Sequence, residues 1–146
     1  MIETKRLKIQ TTRPTEVTDI TTQVQESVQN AGLQNGQVLI YTMHTTTGIG
    51  INESETRLME DMTNAIETLA SREKKYLHDD IHLRDCPKDE PKNGHAHIKA
   101  LHLNRSEIIP VVSGKLTLGR WQAILHYEMD GTRERTILIQ MTGEQK

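Results

Sequence analysis

The spacing of apolar residues changes period along this chain, and that change narrows the folds open to it. Leu7 and Ile9 alternate with Arg6 and Lys8, so residues 3–11 are predicted to form a strand, which Thr12-Arg13-Pro14-Thr15 stops. Val17, Ile20, Val24 and Val28 then recur three or four apart, the spacing of an amphipathic helix, with Gly32 past Ala31 as its stop. Asn35-Gly36 turns the chain into Val38-Leu39-Ile40-Tyr41, a strand that delivers His44 at its end. Ser54 is expected to cap a second helix carrying Leu58, Met62, Ile66 and Leu69 on one face. From Ser71 to Pro91 no period is present, which predicts a long loop, followed by a short helix at 95–103. Period two returns in the last third. Ile108–Val112 with Lys115–Leu118, and Trp121–Glu128 with Arg133–Met141, read as two hairpins around Ser113-Gly114 and Asp130-Gly131. The pattern predicts one α+β domain over residues 1–146, with mixed or antiparallel sheets and two main amphipathic helices.

The core has to be aliphatic. Apolar residues make up 34% of the chain, with no Phe, one Trp and three Tyr, so burial is thin for this length and self-association is expected. A net charge of −2 supplies no basic field for nucleic acid. No apolar stretch reaches the ~18 residues of a membrane span. A single cysteine, Cys86, and a first segment without an apolar signal core make a cytoplasmic protein the expectation.

Three polar clusters interrupt these elements. His44-Thr45-Thr46-Thr47-Gly48-Ile49-Gly50 follows an apolar strand, placing an imidazole, hydroxyls and approachable amides together without the Lys of a P-loop. In Asn93-Gly94-His95-Ala96-His97 the outcome depends on the backbone: on a helix the two histidines lie roughly 200° apart and cannot share a cation, whereas on a strand they share a face. A helix start there also offers free amides to an anion. In Gly119-Arg120-Trp121-Gln122 and the following strand, alternation puts Gln122, Ile124, His126 and Glu128 on one side. Gln122 and Glu128 are expected to point at a pocket, the competing reading being a Glu128 paired with Arg133 or Arg135.

Taken in order, His44-Thr45-Thr46, Asn52-Glu53, His78-Asp79, Asn93 through Ala96-His97-Ile98-Lys99, Ile109-Pro110-Val111, Gly119, Trp121-Gln122 and Glu128 through Asp130-Gly131, Arg133 and Arg135 resemble the YjbQ-like family. The resemblance spans roughly residues 5–143. It implies an α+β homotrimer with sites near subunit boundaries and a thiamine-phosphate synthase activity joining a pyrimidine diphosphate to a thiazole phosphate. Two positions depart from the family pattern: Thr132 replaces the usual proline of the Asp-Gly-Pro-Arg turn, and His126 stands where an apolar residue is commoner.

Under that expectation Lys99 and Arg133 contact phosphate, Thr45 and Thr46 position it, and His44 and His97 transfer protons or hold a metal. Glu128 orients a histidine or the metal, and Asn52, Glu53, Trp121 and Gln122 complete the substrate contacts. Mg²⁺ is the implied cofactor and a small phosphorylated molecule the substrate. Two alternatives stand beside it: a Zn²⁺-dependent hydrolase of a small phosphorylated or amide molecule, and a non-catalytic trimer that binds a small ligand.

Overall fold

In the computed structural model, which describes residues 1–146, the alternation around Leu7 and Ile9 becomes strand β1 (Ile2–Gln10). A short β2 (Glu16–Asp19) precedes helix α1 (Thr21–Asn30), after which come β3 (Leu33–Thr42) and β4 (Thr47–Asn52). Helix α2 (Thr56–Thr68) leads into a loop with two 3-10 turns, and then into α3 (Gly94–Ala100). The chain finishes with β5 (Ser106–Val112), β6 (Lys115–Leu116), β7 (Ala123–Glu128) and β8 (Glu134–Gln145). These strands build two antiparallel sheets, ordered β1-β8-β3-β5-β6 and β2-β7-β4. The fold is α+β with three helices.

The two sheets face each other across an aliphatic layer. Val38, Ile40, Ile109, Val111, Ile137, Ile139 and Met141 of the large sheet meet Ile49 and Ile124 of the small one, and Ile20, Val24 and Val28 close the layer from α1. Behind the small sheet, Leu125, Tyr127 and Met129 pack against Ile66 of α2 and Ala96 and Ala100 of α3. All six residues of β7 are therefore buried, on both faces. That arrangement makes a protein with few aromatic residues feasible, because one central strand is covered twice.

Four expectations need correcting. Val17 lies in β2, and the helix starts only at Thr21: Val17 packs outward against the α2 side while Ile20, Val24 and Val28 alone form the helical stripe. The cap of α2 is Glu55 instead of Ser54, its carboxylate accepting from the Arg57 and Leu58 amides at 3.0 and 2.6 Å. Trp121–Glu128 and Arg133–Met141 do not form a hairpin, since β7 and β8 belong to different sheets and meet only where the chain crosses between them. The Thr-Gly-rich run after His44, read as a polar cluster interrupting the regular elements, is strand β4 from Thr47 onward. Its glycines make room for packing: a Cβ on Gly50 would fall 2.6 Å from the Tyr127 ring, and one on Gly48 would fall 2.9 Å from Leu103 Cβ. The Ser113-Gly114 turn is as expected, with both residues at positive φ joining β5 to β6.

His126 is the one buried residue whose two polar side-chain atoms both lack a hydrogen-bond partner. It sits fully buried on β7, opposite Ile49 and Thr18. Burial lowers its pKa from 6.5 to about 4; the Arg135 cation, and His44 once protonated, act in the same direction, while Glu128 opposes them. The unfolded chain therefore takes up a proton at a pH where the folded one does not. Stability is complete above about pH 6.5 and falls progressively as the pH drops toward about 4, by on the order of 3 kcal/mol over the window. In urea unfolding at pH 7 and pH 5, the native protein should lose stability at the lower pH. His126→Leu should flatten that difference, and an unaltered pH dependence in the variant would assign it to other groups.

Candidate functional site

Where β3 ends and β4 begins, the chain has four residues, Met43 to Thr46, to turn back between the sheets. Beneath this turn lies a cavity of about 390 Å³, bordered by His44, Thr45, Thr46, His97, Arg133 and Arg135. Its floor is set by an ion pair. Arg135 on β8 donates from Nε to Glu128 Oε1 at 2.7 Å and from Nη2 to Glu128 Oε2 at 2.5 Å, with both side chains almost wholly buried. Burial on its own would raise the Glu128 pKa, but Arg135, the Asp130 amide and the Thr11 hydroxyl outweigh it and hold the carboxyl below its ordinary range. The Arg135 Nη2 also reaches the Thr46 hydroxyl at 3.0 Å, so the ion pair fixes the turn above it.

His44 has a defined tautomer. The Thr136 amide donates to its Nε2 at 2.9 Å, so this nitrogen carries no proton and Nδ1–H is the remaining donor of the neutral ring. Burial and the Arg135 and Arg133 guanidiniums lower the His44 pKa against the pull of Glu128, which keeps the ring neutral at pH 7. His97 is lowered as well, by burial and by His78, whose ring meets it edge-on at 4.6 Å between centroids. A second chain of hydrogen bonds forms the far rim. His78 Nε2 donates to Asn93 Oδ1 at 3.1 Å, Asn93 Nδ2 donates to Asp130 Oδ2 at 2.7 Å, and Arg133 Nη2 donates to the same oxygen at 3.0 Å. Asp130 and Glu128 balance the two arginines, so the cavity presents fixed donors with little surplus charge.

Of the residues expected at a site, the fold gathers His44, Thr45, Thr46, His97 and Arg133. Others lie elsewhere. Lys99 is fully buried on the opposite side of α3, donating to His95 Nδ1 at 3.0 Å and to Glu67 Oε2 at 3.2 Å, so it reaches no ligand in the cavity. Burial lowers its pKa while Glu67 opposes this; Glu67 itself is held at about 2, by Arg72 first and then by Thr15 and Lys99 against its own burial. Glu128 stands behind Arg135 and does not line the cavity, which realises the paired reading of that carboxylate. Asn52 and Glu53 are at the far end of β4, roughly 16 Å of strand from its start. Trp121 is exposed under the Arg120 guanidinium, and Gln122 accepts from the Gly119 amide at 2.8 Å, which makes it a turn cap.

The helical spacing of His95 and His97 is realised: one joins the Lys99 network and the other the cavity. Arg135, Asn93 and Asp130 were not singled out as ligand contacts. Arg135 was legible only as a possible partner of Glu128, and no local signal reveals that the pair would be buried under Thr46. A divalent cation does not fit the donor set. No three His, Cys, Asp or Glu side chains are grouped to hold a metal ion, and His44 Nε2 is already committed to the Thr136 amide.

The chain is thus a double-sheet α+β domain with a histidine and arginine cavity where it crosses between the sheets. The chain belongs to the UPF0047, YjbQ-like, family, whose model matches residues 5–144. An Archaeoglobus fulgidus UPF0047 protein is 41% identical over 91% of this chain and 96% of its own. YugU of Bacillus subtilis, also a UPF0047 protein, is 36% identical over 95% of this chain and 98% of its own. Among solved structures, a hypothetical protein of Aeropyrum pernix superposes with a TM-score of 0.86 at 39% identity, covering 97% and 99% of the two chains. A Sulfolobus solfataricus protein called YbjQ-like and of unknown function gives 0.87 at 36% identity, covering 99% of both. The expectation of a thiamine-phosphate synthase is corrected by these relatives, which form a family of unknown function; membership carries the fold across and not that activity. No helix is long and apolar enough to cross a membrane.

Removing the Glu128 carboxylate strands a buried guanidinium. Glu128→Ala is expected to cost about 3–5 kcal/mol in urea unfolding. A loss below about 1 kcal/mol would show that the pair does not hold the sheets.

Proposed function

We propose that the cavity binds a small organic anion, a phosphate ester being the class it suits, and that His44 and His97 flank it as neutral acid–base groups. The observation that carries this is Arg135. Its Nε and Nη2 are occupied by Glu128 and Thr46, its remaining Nη1 has no protein acceptor, and the residue borders the cavity. A guanidinium held rigid by a buried carboxylate loses little further freedom when it donates to a ligand oxygen. Arg133 adds a second cation from the opposite rim, and the Thr45 and Thr46 hydroxyls and His44 Nδ1–H add neutral donors. Neutral imidazoles suit proton transfer at a bound ligand near pH 7.

Calorimetric titration with inorganic phosphate tests the reading. Saturable binding is expected, weakened about tenfold or more in Arg133→Met, with Trp121→Ala unchanged. No saturable binding to the native protein, or an unchanged affinity in Arg133→Met, would sink it.

We also infer that copies of this chain meet on the outer face of the five-stranded sheet, with a homotrimer as the expected assembly. Ile108 and Val112 are 58 and 54% exposed there, on one face of β5. Light scattering should give three copies and Ile108→Glu should shift them toward monomer; a native monomer would overturn the assembly without touching the ligand reading.

A further inference from the structure

The anion cavity continues into a second one of about 350 Å³, and the two share Met43, His44, Thr45 and His97. Their linings differ in kind. The first is ringed by arginines and hydroxyls, whereas the second is walled by Tyr41, Met43 and Leu101, all of them substantially exposed. Of the polar side chains that border only the second cavity, Thr42 and Arg105 are engaged and Tyr41 offers a neutral phenol. Arg105 gives its two terminal nitrogens to the Thr47 and Ala100 carbonyls, and the Thr42 hydroxyl is paired with that of Thr47 at 2.5 Å. The one cation of this end is thus tied to backbone carbonyls, and a ligand with a charged or polyhydroxylated tail would set most of its polar atoms against apolar side chains.

Resting on the anion-binding reading above, we infer that the ligand is an amphiphile with a single anionic group: a phosphate monoester of an aryl or alkyl alcohol, its phosphate at Arg133 and Arg135 and its apolar group against Tyr41, Met43 and Leu101. His44 and His97 stand at the junction of the two cavities, beside the ester linkage of such a ligand. The second cavity, at about 350 Å³, has room for an apolar group of about a single ring, and Tyr41 and Leu101 border it without bordering the anion cavity.

Three probes of graded tail chemistry test this by calorimetry on the assembled protein: inorganic phosphate, glycerol 3-phosphate and phenyl phosphate. Phenyl phosphate is expected to bind about tenfold tighter than glycerol 3-phosphate. Tyr41→Ser/Leu101→Ser should bring the two esters to within about twofold of each other while inorganic phosphate binds as before. Leu101→Ser alone, at a residue 76% exposed, serves if the double variant does not fold, and should reduce the preference in the same direction. Equal affinities of the two esters for the native protein, or a preference that survives in the variants, would overturn the apolar assignment and leave the anion site standing. Failure of all three probes to bind would remove both.

Discussion

The Glu128–Arg135 ion pair is the constraint on which the site and the join between the sheets depend. Glu128 ends the central strand of the small sheet, Arg135 stands at the start of the long strand of the large one, and both side chains are almost wholly buried. A buried pair is seldom a net gain over apolar packing, yet once present it tolerates no loss of one partner. Here it fixes where the chain crosses between sheets and holds the guanidinium at the floor of the cavity. Thr11 and the Asp130 amide occupy lone pairs of the carboxylate that Arg135 leaves over. The His126 imidazole, two residues before Glu128 on the same buried side of β7, has no such partners. Two ionisable groups on one face of one strand thus behave oppositely, one stabilised as an ion and the other kept neutral.

Much of the fold was legible in the sequence because its signals are local. The alternation in β1, the α1 and α2 stripes, the Gly32 stop and the Ser113-Gly114 turn each rest on a few neighbouring residues. Strand β8 was legible over Arg133–Met141, whereas its pairing with β1, which ties the two ends of the chain together, is not local and left no mark. The hairpin expected around Asp130-Gly131 fails for the same reason: a turn signal shows that the chain reverses and says nothing about which sheet receives each arm. Strand β4 was hidden by its own glycines, which read as loop chemistry until Tyr127 and Leu103 are seen to fill the space they leave.

The site was legible by residue type and blurred by direction. His44, Thr45, Thr46, His97 and Arg133 converge, while Lys99, two positions from His97, is carried to the other side of the helix by the 100° step between residues. Lys99 buried beside His95 and Glu67 belongs to the packing of α3 on α2. Sequence order alone does not separate a ligand contact from a buried structural charge when both types occur within one helical turn.

That short helix also limits how the chain can vary in length. The Asp79 carboxylate holds the Gly94 amide at 2.9 Å, and a side chain at Gly94 would strike Tyr76, whose nearest atom lies 2.6 Å from the Cβ position. Because α3 is locked at its first residue, the loop between Asp80 and Lys92 is free to gain or lose residues without turning the helix. An insertion within Gly94–His97 would instead rotate everything after it by about 100°, trading the neutral His97 for a different face. Length variation among related chains should accordingly concentrate before Asn93 and stop there.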